Sequence, residues 1–116
     1  MTNTLYHNPA CSTSRKALAL LQEKGAPVEV VEYLKTGWTE KVLRGILKAM
    51  GNPPASALLS TRGGRAEELG LTAPGATDAQ LIQAFIDEPV LVERPILVTD
   101  KGARVCRPVE AALEIL

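Results

Sequence analysis

Cysteine and net charge are what this sequence lacks. Its 116 residues include only two cysteines, Cys11 and Cys106, too few and too far apart for a disulfide framework or a zinc cluster. Thirteen basic residues balance thirteen acidic ones, so no overall positive field favours nucleic acid or anionic lipid. No apolar run approaches the length of about 18 that suggests a membrane span. We therefore expect a cytoplasmic protein that binds neither nucleic acid nor membrane.

The chain has the length of one domain. A chain of this size buries roughly two-thirds of the surface that its unfolded form exposes. The first eleven residues lack the basic stretch and apolar segment of a secretory signal, and the short Gly/Pro clusters predict loops rather than linkers. We predict a single domain over residues 1–116, a monomer, with no bound cofactor or metal.

The first third of the chain predicts a strand, a helix and a second strand. Residues 4–7 favour a strand that Asn8 and Pro9 end in a turn. Hydroxyl side chains at 12–14 and a one-sided apolar pattern predict a helix that Gly25 ends. The alternating, β-branched run 27–33 predicts the second strand. This spacing is typical of a parallel crossover unit.

The remaining sequence predicts more helices and a hairpin. Amphipathic helices begin at Thr39 and Thr77, with irregular sequence around 60–64 between them. Strands 95–99 and 103–106 are joined by a turn at 100–102. A closing helix begins at Pro108 and is expected to turn inward Val109, Ala112, Leu113 and Leu116. The predicted class is α/β: a four-stranded mixed sheet flanked by helices, with a helical insertion in mid-chain.

Cys11 lies directly after a predicted strand and directly before a predicted helix. Free backbone N–H groups and the helix dipole favour a thiolate there. The dipole contributes about 0.3 to 1 kcal/mol, whereas a guanidinium about 4 Å away contributes about 4 kcal/mol at an effective dielectric near 20. Arginine is therefore expected to be the decisive partner of the thiolate, and the candidates are Arg15, Arg94, Arg107 and either Arg62 or Arg65. Cys106, inside a predicted strand, is interpreted as a packed and unreactive thiol.

Residue spacing excludes two known thiol motifs. Ser14 stands where a two-thiol redox motif has its second cysteine, and Ala17 stands where a thiol phosphatase has arginine. A single working thiol must then take its second sulfur from another molecule. The basic loop 61–65 is interpreted as solvated and Trp38 as a packing residue. His7, the only histidine, is compatible with either a proton-handling or a structural role.

The sequence resembles the glutaredoxin-coupled arsenate reductases, the ArsC-like proteins of thioredoxin-like fold, at four landmarks in family order. The landmarks are Tyr6-His7-Asn8-Pro9-Ala10-Cys11-Ser12-Thr13-Ser14-Arg15, Glu67-Glu68-Leu69-Gly70-Leu71, Arg94-Pro95-Ile96 and Arg107-Pro108. The resemblance implies a cytoplasmic enzyme that reduces arsenate to arsenite, with glutathione as co-substrate and glutaredoxin as partner.

The resemblance also implies roles for individual residues. Cys11 is the nucleophile, and His7 and Ser14 help to keep it ionised. The oxyanion is bound by Arg94 and Arg107, and Pro95 is expected to follow a cis peptide bond.

The sequence departs from the family pattern at one position. The family has a third oxyanion-binding arginine after a Leu-Leu pair, but Ser60 follows Leu58 and Leu59 here. We assign that role to Arg62, two residues further on. Two alternatives stay open: a thiol transferase acting on glutathione mixed disulfides, and a non-catalytic regulator of the same fold that binds a protein partner.

Overall fold

The computed structural model describes residues 3–116, and within them four strands form one mixed sheet. The first two residues of the predicted domain lie outside this range. The strands are β1 (Asn3–Tyr6), β2 (Val28–Val31), β3 (Ile96–Thr99) and β4 (Gly102–Val105). The helices are α1 (Ser12–Glu23), α2 (Tyr33–Thr36), α3 (Glu40–Ala49), α4 (Arg65–Glu68) and α5 (Asp78–Asp87). Short 3₁₀ segments are Ala55–Leu58, Arg62–Gly64 and Pro89–Leu91, and Val109–Ile115 is the closing 3₁₀ helix.

The sheet has the strand order β2-β1-β3-β4. β1 and β2 are parallel and connected by α1, while β3 is antiparallel to both β1 and β4. The predicted crossover unit, hairpin and mixed sheet are thus confirmed. The register aligns Tyr6 with Val31 and Ile96, and Ile96 with Val105. These four residues lie at the same ends of the four strands, and we call this side of the sheet the thiol edge. The chain that follows β1 there carries Cys11.

Two apolar clusters hold the sheet between layers of helices. One cluster includes Leu5, Leu97 and residues of α1 and the closing 3₁₀ helix. The other includes Ile96, Ala103 and residues of α3 and α5. Because neighbouring residues of a strand point to opposite faces, Ile96 and Leu97 serve different clusters. None of the helices in the described part of the chain is long and apolar enough to cross a membrane.

The predicted helix starts at Thr39 and Thr77 are confirmed by their caps. Thr39 Oγ1 accepts a hydrogen bond from the Val42 N–H at 3.2 Å. Thr77 forms a reciprocal capping box with Gln80, at 2.8 and 3.2 Å. Each cap satisfies N–H groups that the first helical turn leaves free.

Strand boundaries and one helix type differ from the sequence-based expectation. Tyr33 begins α2 instead of ending β2, and Gly102 pairs with Thr99 as the first residue of β4, so the hairpin turn is shorter than expected. The closing helix is 3₁₀ and not α-helical. At three residues per turn, Ile115 aligns with Ala112 on the buried side. The prediction that Leu113 turns inward was therefore wrong, and that side chain is 44% exposed.

Two glycines provide a matched test of this packing. Gly102 has φ +142°, and a Cβ there would lie 3.1 Å from the Ala49 backbone oxygen, whereas Gly45 on the exposed face of α3 has nothing within 4 Å. We expect Gly102→Ala to lower the free energy of unfolding by about 1–3 kcal/mol and Gly45→Ala to raise it by about 0.5–1 kcal/mol. Urea denaturation measures both. Equal effects of the two substitutions would contradict the close approach of α3 to β4.

Candidate active site

The loop between β1 and α1 places Cys11 at the thiol edge. His7 N–H donates to the Val31 carbonyl at 2.8 Å, which continues the β1–β2 pairing by one bond. Asn8 then forms the predicted turn: its Oδ1 accepts from the Ala10 N–H and its carbonyl from the Cys11 N–H, both at 3.0 Å. Cys11 is the N-cap residue of α1, with extended backbone and a partly exposed side chain. The predicted strand–turn–helix position of the thiol is confirmed.

The surroundings of Cys11 favour its thiolate. Burial by itself raises the pKa of the thiol, but the backbone N–H groups of Ser14 and Thr13, the Arg94 guanidinium and the charge of Arg107 together bring it below its ordinary value. The two N–H groups act more strongly than either arginine. The expectation that arginine would be decisive was therefore incomplete, because free N–H groups at a helix start point their positive ends at the cap position.

Arg107 is the cation that contacts the sulfur. Its Nη2 donates to Cys11 Sγ at 3.4 Å and its Nη1 to Thr13 Oγ1 at 3.3 Å. Its Nε donates to the Arg94 carbonyl at 2.6 Å and lies 3.1 Å from Glu93 Oε1. These contacts use the whole planar fork of the guanidinium. Arg107 follows β4, and the sheet register brings it next to Cys11 across 96 residues of sequence.

Arg94 reaches the same place from the start of β3. Its guanidinium favours the ionised form of Cys11, and the peptide bond to Pro95 is cis, as the resemblance implied. The Arg107–Pro108 bond is also cis. Arg94 Nε is buried and has no hydrogen-bond partner among residues 3–116. The site thus presents a free N–H donor beside a thiol with a lowered pKa.

Glu93 is a site residue that sequence reasoning missed. Its Oε1 lies 3.1 Å from Arg107 Nε and 3.4 Å from Arg62 Nε. Arg62 therefore stands at the rim of the site, with 52% of its side chain exposed, and contacts Glu93. Its charge is not among those that shift the pKa of Cys11. The sequence signal for Glu93 was its position as an acidic residue directly before Arg94-Pro95. The oxyanion-binding role of Arg62 stays a prediction.

His7 and Ser14 form a buried pair behind the thiol. His7 Nδ1 and Ser14 Oγ are 2.6 Å apart, and the same oxygen accepts from the Asn8 N–H at 3.0 Å. His7 is 5% exposed and Ser14 is fully buried. The pair ties α1 to the turn that precedes Cys11. This geometry predicts a positioning role for both residues, since a fixed turn keeps the Ser14 N–H next to the sulfur.

The titration of His7 provides a test of this pair. Burial lowers the pKa of His7 below its ordinary 6.5, Glu32 opposes this effect and Arg15 adds to it. The unfolded chain therefore takes up a proton at a higher pH than the folded chain, and stability present above pH 6.5 falls as the pH is lowered. We expect the free energy of unfolding, measured in urea, to decrease from pH 7.5 to pH 5.5.

His7→Asn is the matched control, because an amide can keep the hydrogen bond to Ser14 and does not titrate. As His7 is the only histidine in the sequence, this variant removes the imidazole titration altogether. We expect its stability to depend less on pH over the same interval. If His7→Asn kept the wild-type dependence of unfolding free energy on pH, that dependence could not be assigned to His7.

Cys106 is packed as predicted, although β4 ends at Val105 and the residue lies just after the strand instead of inside it. It is fully buried, and burial raises the pKa of its thiol to about 11. The other interpreted residues lie where the sequence suggested. Trp38 packs between Tyr6 and Tyr33, with ring centroids 5.0 and 4.9 Å away. Arg15 Nη1 donates to the Pro9 carbonyl at 2.8 Å and so supports the start of the helix. Arg65 pairs with Glu88 and Glu68, away from the thiol. Within residues 3–116, no cluster of three or more His, Cys, Asp or Glu side chains is placed to hold a metal ion.

Comparison with known proteins places this arrangement in a family. The model of the ArsC family matches residues 6–115. The chain is 46% identical over 112 residues to arsenate reductase ArsI2 of Synechocystis, an alignment that covers 97% of this chain and 79% of that protein. It is 44% identical over 112 residues to the Escherichia coli protein YfgD, which covers 97% of this chain and 94% of that one.

A solved structure agrees with these matches. The arsenate reductase from Vibrio cholerae superposes with a TM-score of 0.93 at 37% identity, over 100% of this chain and 98% of that one. The predicted thioredoxin-like fold is confirmed by this likeness and by the observed sheet order. The matched region includes every residue of the site just described. The chain therefore belongs to the ArsC family.

Proposed function

We propose that this chain reduces arsenate to arsenite through Cys11, with glutathione and glutaredoxin supplying the electrons. One observation carries the proposal: a partly exposed thiol with a lowered pKa lies in direct contact with Arg107 and beside Arg94. A nucleophile and two anion-binding groups thus converge on one point. The arsenate reductases of Synechocystis and Vibrio cholerae support arsenate as the oxyanion.

In the proposed first step the Cys11 thiolate attacks arsenic. A sulfur–arsenic bond forms, one arsenic–oxygen bond breaks, and the oxygen leaves as water after taking up protons. Arsenic remains in the +5 state. Arg94 and Arg107 offset the negative charge on the remaining oxygens, and their fixed positions avoid reorganisation as that charge shifts.

The reduction itself requires two electrons from thiols. The glutathione sulfur bonds to arsenic and displaces a second oxygen as water. The glutaredoxin thiolate then attacks the glutathione sulfur, and the electron pair of the broken sulfur–arsenic bond reduces arsenic to +3. Water finally releases arsenite from Cys11. Overall, arsenic goes from +5 to +3, two external thiols become a disulfide, and Cys11 returns as a thiol. Cys106 is no substitute donor, because it is fully buried and its pKa is raised to about 11. These facts favour an external thiol and a single working cysteine.

A groove beside the thiol supports docking of that external thiol. It runs between α1 and the closing 3₁₀ helix and is lined by residues that include Thr13, Lys16, Glu23, Arg107 and Glu110. Arg107 and Thr13 also belong to the Cys11 site. Side chains of both charge signs suit glutathione, which has two carboxylates and one ammonium group.

The proposed chemistry has consequences for cellular location, cofactors and oligomeric state. Glutathione-coupled reduction requires a reducing compartment, so we propose a cytoplasmic location. Because both electrons come from thiols, the scheme needs no bound cofactor or metal. One chain provides every residue named in the scheme, so the proposed monomer can carry out the reaction alone.

The test is arsenite formation by the purified chain. Arsenate is supplied with glutathione, glutaredoxin, glutathione reductase and NADPH, and arsenite is separated by chromatography and quantified. A parallel reaction replaces the glutathione components with thioredoxin, thioredoxin reductase and NADPH. We expect arsenite in the first reaction and little in the second. The reverse result would keep arsenate reduction and overturn the proposed electron donor.

The same preparation tests the two alternatives. A glutathionylated peptide reports thiol transfer, and brisk release of its glutathione without any arsenite would favour the transferase. A Cys11→Ser variant that keeps its full biological effect would favour the non-catalytic regulator. Either outcome would overturn arsenate reduction as the function of this chain.

A further inference from the structure

Tyr33 lies at the thiol edge, although it was expected in a strand. It begins α2 two residues after Val31, the β2 residue aligned with Tyr6 at the end of β1. Its side chain is 1% exposed, and its ring stacks on Trp38 with centroids 4.9 Å apart and planes 23° apart. Trp38 is itself held by a hydrogen bond from Nε1 to the Pro89 carbonyl at 3.2 Å. The Tyr33 ring is therefore fixed in place.

The Tyr33 hydroxyl has no hydrogen-bond partner among the described residues, and Arg94 Nε shares this property. These are the two buried side-chain polar atoms without a partner in residues 3–116. A buried donor without a partner is unfavourable, and phenylalanine would pack against Trp38 without that penalty. Both residues lie two positions from the thiol edge, Tyr33 after Val31 and Arg94 before Ile96. A ligand that supplies acceptors at this place would satisfy both donors.

The hydroxyl also lies within the electrostatic field of the site. Burial is the main reason that the pKa of Tyr33 is raised to about 12, and the charges that modify it further belong to Arg94, Cys11, Glu93 and Arg107. These groups are the Cys11 thiol itself and charged residues of its site. The phenol therefore keeps its proton at neutral pH and remains a hydrogen-bond donor.

We propose that the Tyr33 hydroxyl is a further oxyanion-binding group, which donates a hydrogen bond to an oxygen of the tetrahedral oxyanion held at Cys11, beside Arg94 Nε. This inference rests on the proposed function. The two arginines supply charge, and the phenol supplies a neutral donor at a fixed position. A fixed neutral donor selects for an oxygen acceptor without adding to the positive charge that stabilises the thiolate.

The test compares Tyr33→Phe with the matched variant Tyr6→Phe. Tyr6 also packs against Trp38, but Glu29 is the charge that acts on its hydroxyl. Binding of inorganic arsenate is measured by calorimetry in the absence of glutathione, together with the thermal midpoint and the pH midpoint of Cys11 alkylation by iodoacetamide. We expect Tyr33→Phe to bind arsenate about tenfold or more weakly. Its thermal midpoint should be equal or higher, its alkylation midpoint unchanged, and Tyr6→Phe should bind as the wild type does.

The possible outcomes separate this inference from the proposed function. Equal arsenate affinity in Tyr33→Phe and wild type would overturn the inference and leave arsenate reduction intact. Weaker binding that comes with a lower thermal midpoint or a shifted alkylation midpoint would also overturn it, because the hydroxyl would then act through the fold or the thiol. Wild-type protein that binds no arsenate would overturn the proposed function, and the inference with it.

Discussion

Cys11→Ser is expected to abolish arsenite formation, with a loss of at least about three orders of magnitude. A serine hydroxyl ionises far less readily than a thiol, so the favourable N–H groups and arginines would surround a neutral, weak nucleophile. Cys106 has no route to replace the lost thiol, because it is fully buried. The measurement is single-turnover and steady-state arsenite production with glutathione and glutaredoxin present.

Cys106→Ala is the matched control, because it removes the other thiol of the chain. We expect this variant to keep most of its activity and to lose some stability, since it empties part of a packed cluster. Residual arsenite formation by Cys11→Ser near the wild-type rate would rule out the proposed nucleophile.

Thiol alkylation provides an independent readout of the same assignment. The pKa of Cys11 is lowered, so its thiolate fraction rises at a lower pH than that of an ordinary cysteine, whereas the pKa of Cys106 is raised to about 11. Iodoacetamide at neutral pH should therefore modify wild type and Cys106→Ala once, and Cys11→Ser not at all. Mass spectrometry of the intact protein counts the additions.

Arg94→Ala and Arg107→Ala are expected to cause the second-largest losses. Removing one fixed donor from an oxyanion site lowers kcat by about 10²- to 10³-fold in comparable enzymes. In the proposed function both residues also bind the ground-state oxyanion, so we expect the KM for arsenate to rise as well. Arg107→Ala should in addition raise the pKa of Cys11, because Arg107 contacts the sulfur. Steady-state kinetics and the pH dependence of alkylation measure these effects.

Arg104→Ala is the matched control for lost charge. Arg104 lies in β4, and its Nε is 3.0 Å from Glu114 Oε1 on the closing helix. That ion pair is largely exposed, so its loss should change stability by less than about 1 kcal/mol and leave the KM for arsenate unchanged. Unchanged kinetics in both Arg94→Ala and Arg107→Ala would contradict the oxyanion site.

Lysine at position 107 separates charge from geometry. The guanidinium contacts Cys11, Thr13, the Arg94 carbonyl and Glu93 at once. One ammonium group cannot span these positions. Compared with Arg107→Ala, we therefore expect Arg107→Lys to bring the pKa of Cys11 part of the way back down to its wild-type value. We expect it to recover little of the arsenate affinity.

Local sequence signals determined the position of the thiol and the main elements of the fold. The β-favouring run before Asn8-Pro9 and the hydroxyl residues after Cys11 predicted a helix start at this point, and α1 does begin at Ser12. The capping role expected of those hydroxyls was wrong, because Cys11 is the N-cap without a side-chain cap bond and Ser14 Oγ pairs with His7. The helix starts at Thr39 and Thr77 were equally readable, because a cap contacts groups only three residues away. The hairpin after Pro95 follows from two short apolar runs and a turn. These features depend on neighbours in sequence.

The assembly of the site was decided by the tertiary structure alone. Arg107 contacts Cys11 across 96 residues because the order β2-β1-β3-β4 brings the end of β4 near the end of β1. Residue composition alone does not specify that strand order. The electrostatic argument therefore left Arg94 and Arg107 as two of several candidates, and only the family resemblance singled them out. Glu93 was marked only by its place directly before Arg94-Pro95, and Tyr33 had no local pattern that marked it. The 3₁₀ geometry of the closing helix exposes Leu113, which was expected to turn inward, and buries Ile115. Contacts between distant segments depend on how the strands pair and pack, which short-range periodicity does not encode.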